Sequence, residues 1–109
     1  MPRLLAQFMF VGLFASHVFA AGLFTVKVVA KDGKLSPARL EVPAGQRIKI
    51  EISNQGKTPI EFENLQLRVE KVLAPEAESF VVLNPLRPGS YSFIDEFHPQ
   101  AGKLELIAK

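Results

Sequence analysis

Seven prolines, Pro37, Pro43, Pro59, Pro75, Pro85, Pro88 and Pro99, divide the chain beyond its first twenty residues. Proline removes a backbone donor and clashes with the preceding helical turn. None of the intervals carries apolar residues at the 3, 4 and 7 spacing of a helical face. Strands are therefore the expected building material, with at most a short helical turn near Asn64 to Arg68 or Ala74 to Ala77.

The strand signals are regular. Leu23 to Ala30 is β-branched and aromatic and runs into a Lys31-Asp32-Gly33-Lys34 turn. Arg39 to Val42 precedes the turn signal Pro43-Ala44-Gly45. Arg47 to Ser53 then alternates strictly, with Ile48, Ile50 and Ile52 on one face and Arg47, Lys49 and Glu51 on the other, as in a half-buried strand. Asn54 to Pro59 reads as a loop, and Ile60 to Glu63 resumes the alternation. Leu65, Leu67 and Val69 alternate with Gln66, Arg68 and Glu70, which predicts a further extended segment to about Leu73. Ser79 to Leu83, Tyr91 to Ile94 and Lys103 to Ala108 complete the set, with Tyr91, Phe93 and Phe97 expected in the core. About seven to eight short strands separated by turns at roughly ten-residue intervals predict an all-β antiparallel sandwich.

The chain has 109 residues and no Cys, which excludes a disulfide scaffold and a zinc finger. Its 13 basic and 11 acidic residues leave a net charge of +2 without any run of one sign, so nucleic acid is not an expected partner. Residues 1–20 read as a secretory signal peptide: Arg3, an apolar stretch from Leu4 to Phe19, then small residues ending at Ala20. That stretch is about 16 residues and includes Gln7, Ser16 and His17, short of the ~20 apolar residues that span a bilayer. The expected domain is therefore 21–109, which retains His98 as its only histidine and no sulfur.

Leu40-Glu41-Val42-Pro43-Ala44-Gly45-Gln46-Arg47-Ile48, then Ile52-Ser53-Asn54 and a polar loop, then Pro88-Gly89-Ser90-Tyr91-Ser92-Phe93-Ile94-Asp95-Glu96-Phe97-His98 resembles the cupredoxins in order and spacing. The resemblance covers nearly all of 21–109 and implies a Greek-key sandwich. It also implies altered metal positions. Asp95 stands where the family has its thiolate Cys, His98 matches the second His, Ala101 lies near the Met, and Glu61 or Glu63 falls near the first His. Blue copper depends on a copper–thiolate bond, which no residue of this sequence supplies.

Glu61, Glu63, Asp95, Glu96 and His98 make a set of hard oxygen donors and one imidazole, suited to Fe(II), Fe(III), Mn(II) or Cu(II) and not to Cu(I). The stretches Glu61 to Val72 and Pro85 to His98 resemble more narrowly the small periplasmic cupredoxin-like proteins that accompany bacterial iron permeases. This implies an iron or copper ion as ligand, a membrane iron permease or associated periplasmic protein as partner, and a role in ferrous-iron uptake or oxidation.

Other readings of the same residues stay open. Glu61 and Glu63 share a strand face about 6 to 7 Å apart, and with Glu70 they could keep an outer face soluble, balanced by Arg68 or Lys71 without any metal. A metal-free interaction module of a membrane complex, or a metal chaperone without redox work, would carry the same residues. The deciding feature is whether Glu63, Asp95 and His98 converge on one point.

Overall fold

The computed structural model describes residues 23–109. The signal-peptide reading of 1–20 lies outside those residues. Nine strands follow in chain order: β1 (Leu23–Lys31), β2 (Lys34–Ser36), β3 (Arg39–Val42), β4 (Arg47–Asn54), β5 (Ile60–Asn64), β6 (Val69–Leu73), β7 (Glu78–Leu83), β8 (Gly89–Asp95) and β9 (Lys103–Ala108). They form two sheets, ordered β2-β1-β4-β7 and β3-β9-β8-β5-β6. Among the described residues there is no helix.

The core lies where period-2 alternation points inward from both sheets. Ile48, Ile50 and Ile52 of β4 are sealed from solvent, as their spacing predicts, and meet Phe62, Phe93, Leu104 and Leu106 of the second sheet. Phe62 and Phe93 stack with centroids 4.9 Å apart and planes 13° from parallel. Such a pair contributes about 0.5–1.5 kcal/mol beyond its burial. Tyr91 packs at the core margin, and its hydroxyl donates to the Arg87 carbonyl at 2.7 Å.

Several expectations are corrected. The sheets are mixed, because β1 runs parallel to β4 and β3 parallel to β9. The reason is topological: β3 crosses to the second sheet, so the chain re-enters the first at β4 in the direction of β1. The ninth strand is β2, a short hairpin partner of β1 reached through Asp32 and Gly33, both at positive φ.

Leu65 to Arg68 is a tight turn and does not extend the strand. The Asn64 Oδ1 accepts the Leu67 N–H at 2.8 Å, and Arg68 takes a left-handed φ of 58°. That local hydrogen bond overrides the apolar alternation, and Leu65 is left 78% exposed. Phe97, expected in the core, is half exposed because the chain turns out of β8 at Glu96.

Candidate functional site

Strand register decides which acids meet. Phe62 pairs with Asp95 across β5 and β8, and both are buried, so Asp95 points to the core side of the sheet. Side chains alternate along a strand, so Glu61 and Glu63 project from the opposite, outer side together with Ile94. Glu63 stands directly opposite Glu70 of β6, and Glu61 opposite Val72. The Glu96 N–H donates to the Glu61 carbonyl at 2.8 Å, which sets Glu96 beside Glu61 just past the end of β8.

The result is a knot of carboxylates. Glu61, Glu63 and Glu70 each place an oxygen within 4.8 Å of the others. Glu63 is buried between its neighbours, Glu61 is half-buried and Glu70 exposed. The hydrogen bond shared with Glu70 holds Glu61 protonated up to about 7, with burial and the charges of Glu70, Glu63 and Glu96 adding to the effect. Glu63 is likewise pushed up, first by its hydrogen bond with Glu96, then by burial and the charges of Glu96 and Glu70. Two carboxylates can share a hydrogen bond only if one keeps a proton.

No Lys or Arg among the described residues forms an ion pair with these acids. Among the described residues the ion pairs are Arg39–Glu41, Lys49–Glu51, Lys109–Glu41 and Asp95–His98. Lys71, opposite Phe62, is on the other face of its strand, and Arg68 is in the turn. The salt-bridge network open to Glu61 and Glu63 from the sequence does not form.

Asp95 and His98 form a second group. Asp95 Oδ2 meets His98 Nδ1 at 2.6 Å, and His98 Nε2 meets Thr58 Oγ1 at 3.2 Å. The other oxygen, Oδ1, accepts the N–H groups of Glu61 and Phe97, each at 3.0 Å. The five residues grouped from the sequence thus divide: Glu61, Glu63 and Glu96 meet on the outer face, and Asp95 and His98 pair on the core side. Alternation is the cause, since Asp95 and Glu96 are adjacent in the chain and point oppositely.

Glycines make the His98 loop possible. A Cβ on Gly102 would lie 2.7 Å from the Asp95 Cβ and 2.8 Å from the His98 carbonyl oxygen, so only hydrogen fits there. The His98 ring also packs against Gly33, which neighbours Gly102.

Thr58 and Asn54 were not singled out from the sequence, and Glu70 was weighed there with Glu61 and Glu63 but not placed in the metal set. Glu70 enters because the tight turn after Asn64 folds β6 back on β5, and Thr58 because its loop is tied down by Asn54. The Asn54 Nδ2 donates to the carbonyls of Thr58, Leu73 and Ala74 at 2.9, 3.2 and 3.1 Å, and its Oδ1 accepts the Gly56 N–H at 3.0 Å. An Asn six residues ahead of a strand gave no sign of this. Asn64, whose side chain can accept a backbone N–H and close a turn, was the signal that could have placed Glu70.

Residues 3–108 match the family described as the cupredoxin-like domain. An uncharacterized protein of Rickettsia prowazekii (strain Madrid E) is 37% identical over 76 residues, covering 70% of this chain and 61% of that protein, so the chain spans about three-fifths of its relative's length. Among solved structures, the metal-binding domain of the Cu(I)-exporting P-type ATPase of Streptococcus pneumoniae D39, determined with Cu(I), superposes with a TM-score of 0.73 at 13% identity. It covers 82% of this chain and 88% of that one. The purple cupredoxin of Nitrosopumilus maritimus gives a TM-score of 0.60 at 15% identity, over 77% of this chain and 99% of that one. At these identities the structural likeness establishes the fold.

Proposed function

Because this chain belongs to the cupredoxin-like domain family, we propose that it binds a transition-metal ion as cargo, at Glu61, Glu63, Glu70 and Glu96. The observation that carries this reading is the convergence of the first three carboxylates within 4.8 Å, with no ion pair to a Lys or Arg among the described residues. A sheet surface that only needed to be soluble would separate such charges or interleave them with bases. Protons shared between the acids hold the cluster together when no cation does.

The donor set fits the ion. Carboxylate oxygens suit hard cations, so Fe(III), Fe(II), Mn(II) and Cu(II) are matched and Cu(I) is not. Metal–oxygen bonds of about 2.0–2.6 Å need oxygens roughly 3–4 Å apart, which small side-chain rotations of Glu61, Glu63 and Glu70 provide. Anionic oxygen stabilises ferric over ferrous iron, so iron held here is easier to oxidise. The electron released needs an acceptor outside this chain.

The leader-like residues 1–20 support export, and the resemblance of Glu61 to Val72 and Pro85 to His98 to permease-associated cupredoxin-like proteins supports a place in ferrous-iron uptake with a membrane permease. In this reading the protein works in the periplasm and presents iron to that partner.

Titration of the purified protein with Fe(II) under anaerobic conditions, and with Fe(III), Mn(II) and Cu(II), tests the site. One ion bound at about 1 μM or tighter, and lost in the Glu63→Gln, Glu70→Gln double variant, is the expected result. Absence of saturable binding by all four ions would sink the reading and leave the fold as an interaction module.

A further inference from the structure

We infer that Asp95 and His98 are positioning residues for the carboxylate site, holding Glu61 in place through its backbone, and that His98 contributes no ligand atom. This rests on the reading that the carboxylates hold the ion.

Both carboxylate oxygens of Asp95 are engaged, by three donors in all. The side chain is buried, with Oδ1 shared between the N–H groups of Glu61 and Phe97 and Oδ2 taken by His98 Nδ1. Its backbone is pinned as well: its N–H donates to the Gly102 carbonyl at 2.7 Å, and its carbonyl accepts the His98 N–H at 2.9 Å. A buried carboxyl group held by an imidazole at 2.6 Å and by two amides at 3.0 Å has little freedom to turn.

What it fixes is Glu61. The β5–β8 ladder contains the pairs Phe62 with Asp95 and Glu63 with Ile94. Beyond its end the Asp95 side chain takes over, accepting the Glu61 N–H while the Glu96 N–H donates to the Glu61 carbonyl. Both backbone groups of Glu61 are therefore tied to β8 and its exit turn. The direction in which Glu61 offers its carboxylate to Glu63 and Glu70 follows from those two bonds.

His98 completes the device from behind. With Nδ1 on Asp95 and Nε2 on Thr58 Oγ1, both ring nitrogens are engaged in either protonation state. The ring also packs over Gly33, so it cannot swing toward the outer face without breaking these contacts. Partners of this kind behind metal ligands typically change affinity by about 10- to 100-fold when removed.

Mn(II) affinity and Cu(II) electron paramagnetic resonance of the wild type, His98→Ala, His98→Asn and Glu61→Gln test the inference. His98 is partly exposed, so its variants are expected to fold, and affinity is read only on protein that circular dichroism shows to be folded. We expect His98→Ala to weaken Mn(II) binding about 10-fold, and His98→Asn, whose amide can reach Asp95 as Nδ1 does, to restore most of it. The Cu(II) spectrum should show no nitrogen coupling. Nitrogen coupling in the wild type that disappears in His98→Ala would make His98 a ligand and overturn the inference. Unchanged Mn(II) affinity in His98→Ala, with binding lost in Glu61→Gln, would overturn it alone and leave the carboxylate site standing. A wild type that binds neither ion would remove the site and this inference together.

Discussion

Glu63 and Glu70 face each other directly across the β5–β6 ladder, on the side of the sheet turned away from the core. Like charges in directly opposed positions oppose folding, and opposite charges there favour it. The metal-free protein therefore carries an electrostatic load at this pair. Replacing Glu70 with Lys should raise the melting temperature of the metal-free protein by a few degrees and abolish ion binding. Differential scanning calorimetry beside a metal titration reads both; a variant that melts lower while binding the ion as before would contradict the assignment of this face.

The acids also set a pH dependence. Glu61 keeps its proton up to about 7 in the folded protein, against an ordinary value of 4.5, and Glu63 is raised in the same direction. Between those values the folded state binds more protons than the unfolded chain, so stability falls as pH rises. The contribution is complete below about 4.5 and lost through about 7. Melting temperature measured from about pH 5 to about pH 8 should decline with a slope that Glu61→Gln flattens. Ion affinity should run the other way, rising over the same window as protons cease to compete. Equal slopes in the wild type and Glu61→Gln would show that this carboxyl does not titrate as described.

Asn54 ties three segments together through one buried amide, joining the loop at Thr58 to the end of β6 at Leu73 and Ala74. Asn54→Ala removes the donor to the buried Leu73 carbonyl, at a cost of about 1–3 kcal/mol. The urea midpoint should drop accordingly, and loss of fixed Thr58 should broaden the His98 imidazole signals in NMR spectra. A midpoint within error of the wild type would show that water replaces the amide without penalty.

Gly102 admits no side chain, because its Cβ would meet the Asp95 Cβ at 2.7 Å and the His98 carbonyl oxygen at 2.8 Å. Gly102→Ala must push the His98 loop away from β8, at about 1–3 kcal/mol. Thermal denaturation measures the loss, and a crystal structure of the variant should show the Asp95–His98 hydrogen bond lengthened. Retention of wild-type stability would mean that the loop relaxes freely.

The strand pattern was legible because its signal is local. Ile48, Ile50 and Ile52 announce an inward face by spacing alone, and the prolines exclude helices without reference to any partner. Leu65 to Arg68 was misread for the complementary reason, while the extended run to Leu73 forms β6: the apolar alternation is real, but one side-chain hydrogen bond from Asn64 bends the chain before its first residues can use it. Phe97 was misplaced because burial of an aromatic depends on where the strand ends, and β8 ends two residues before it.

The candidate site divides along the same line. Glu61, Glu63, Asp95, Glu96 and His98 could be picked out from residue types and resemblance, since acids clustered around the sole histidine beyond the leader-like segment are visible in one dimension. Which of them meet depends on register between β5, β6 and β8, and a shift of one residue would exchange the two faces. Only the tertiary structure set Phe62 against Asp95 and Glu63 against Glu70. It thereby turned Asp95 and His98 inward, gathered Glu61, Glu63, Glu70 and Glu96 outward, and brought Thr58 to the histidine from forty residues away. Composition chose the chemistry, an oxygen-rich site without sulfur, and the pairing of distant strands decided its geometry.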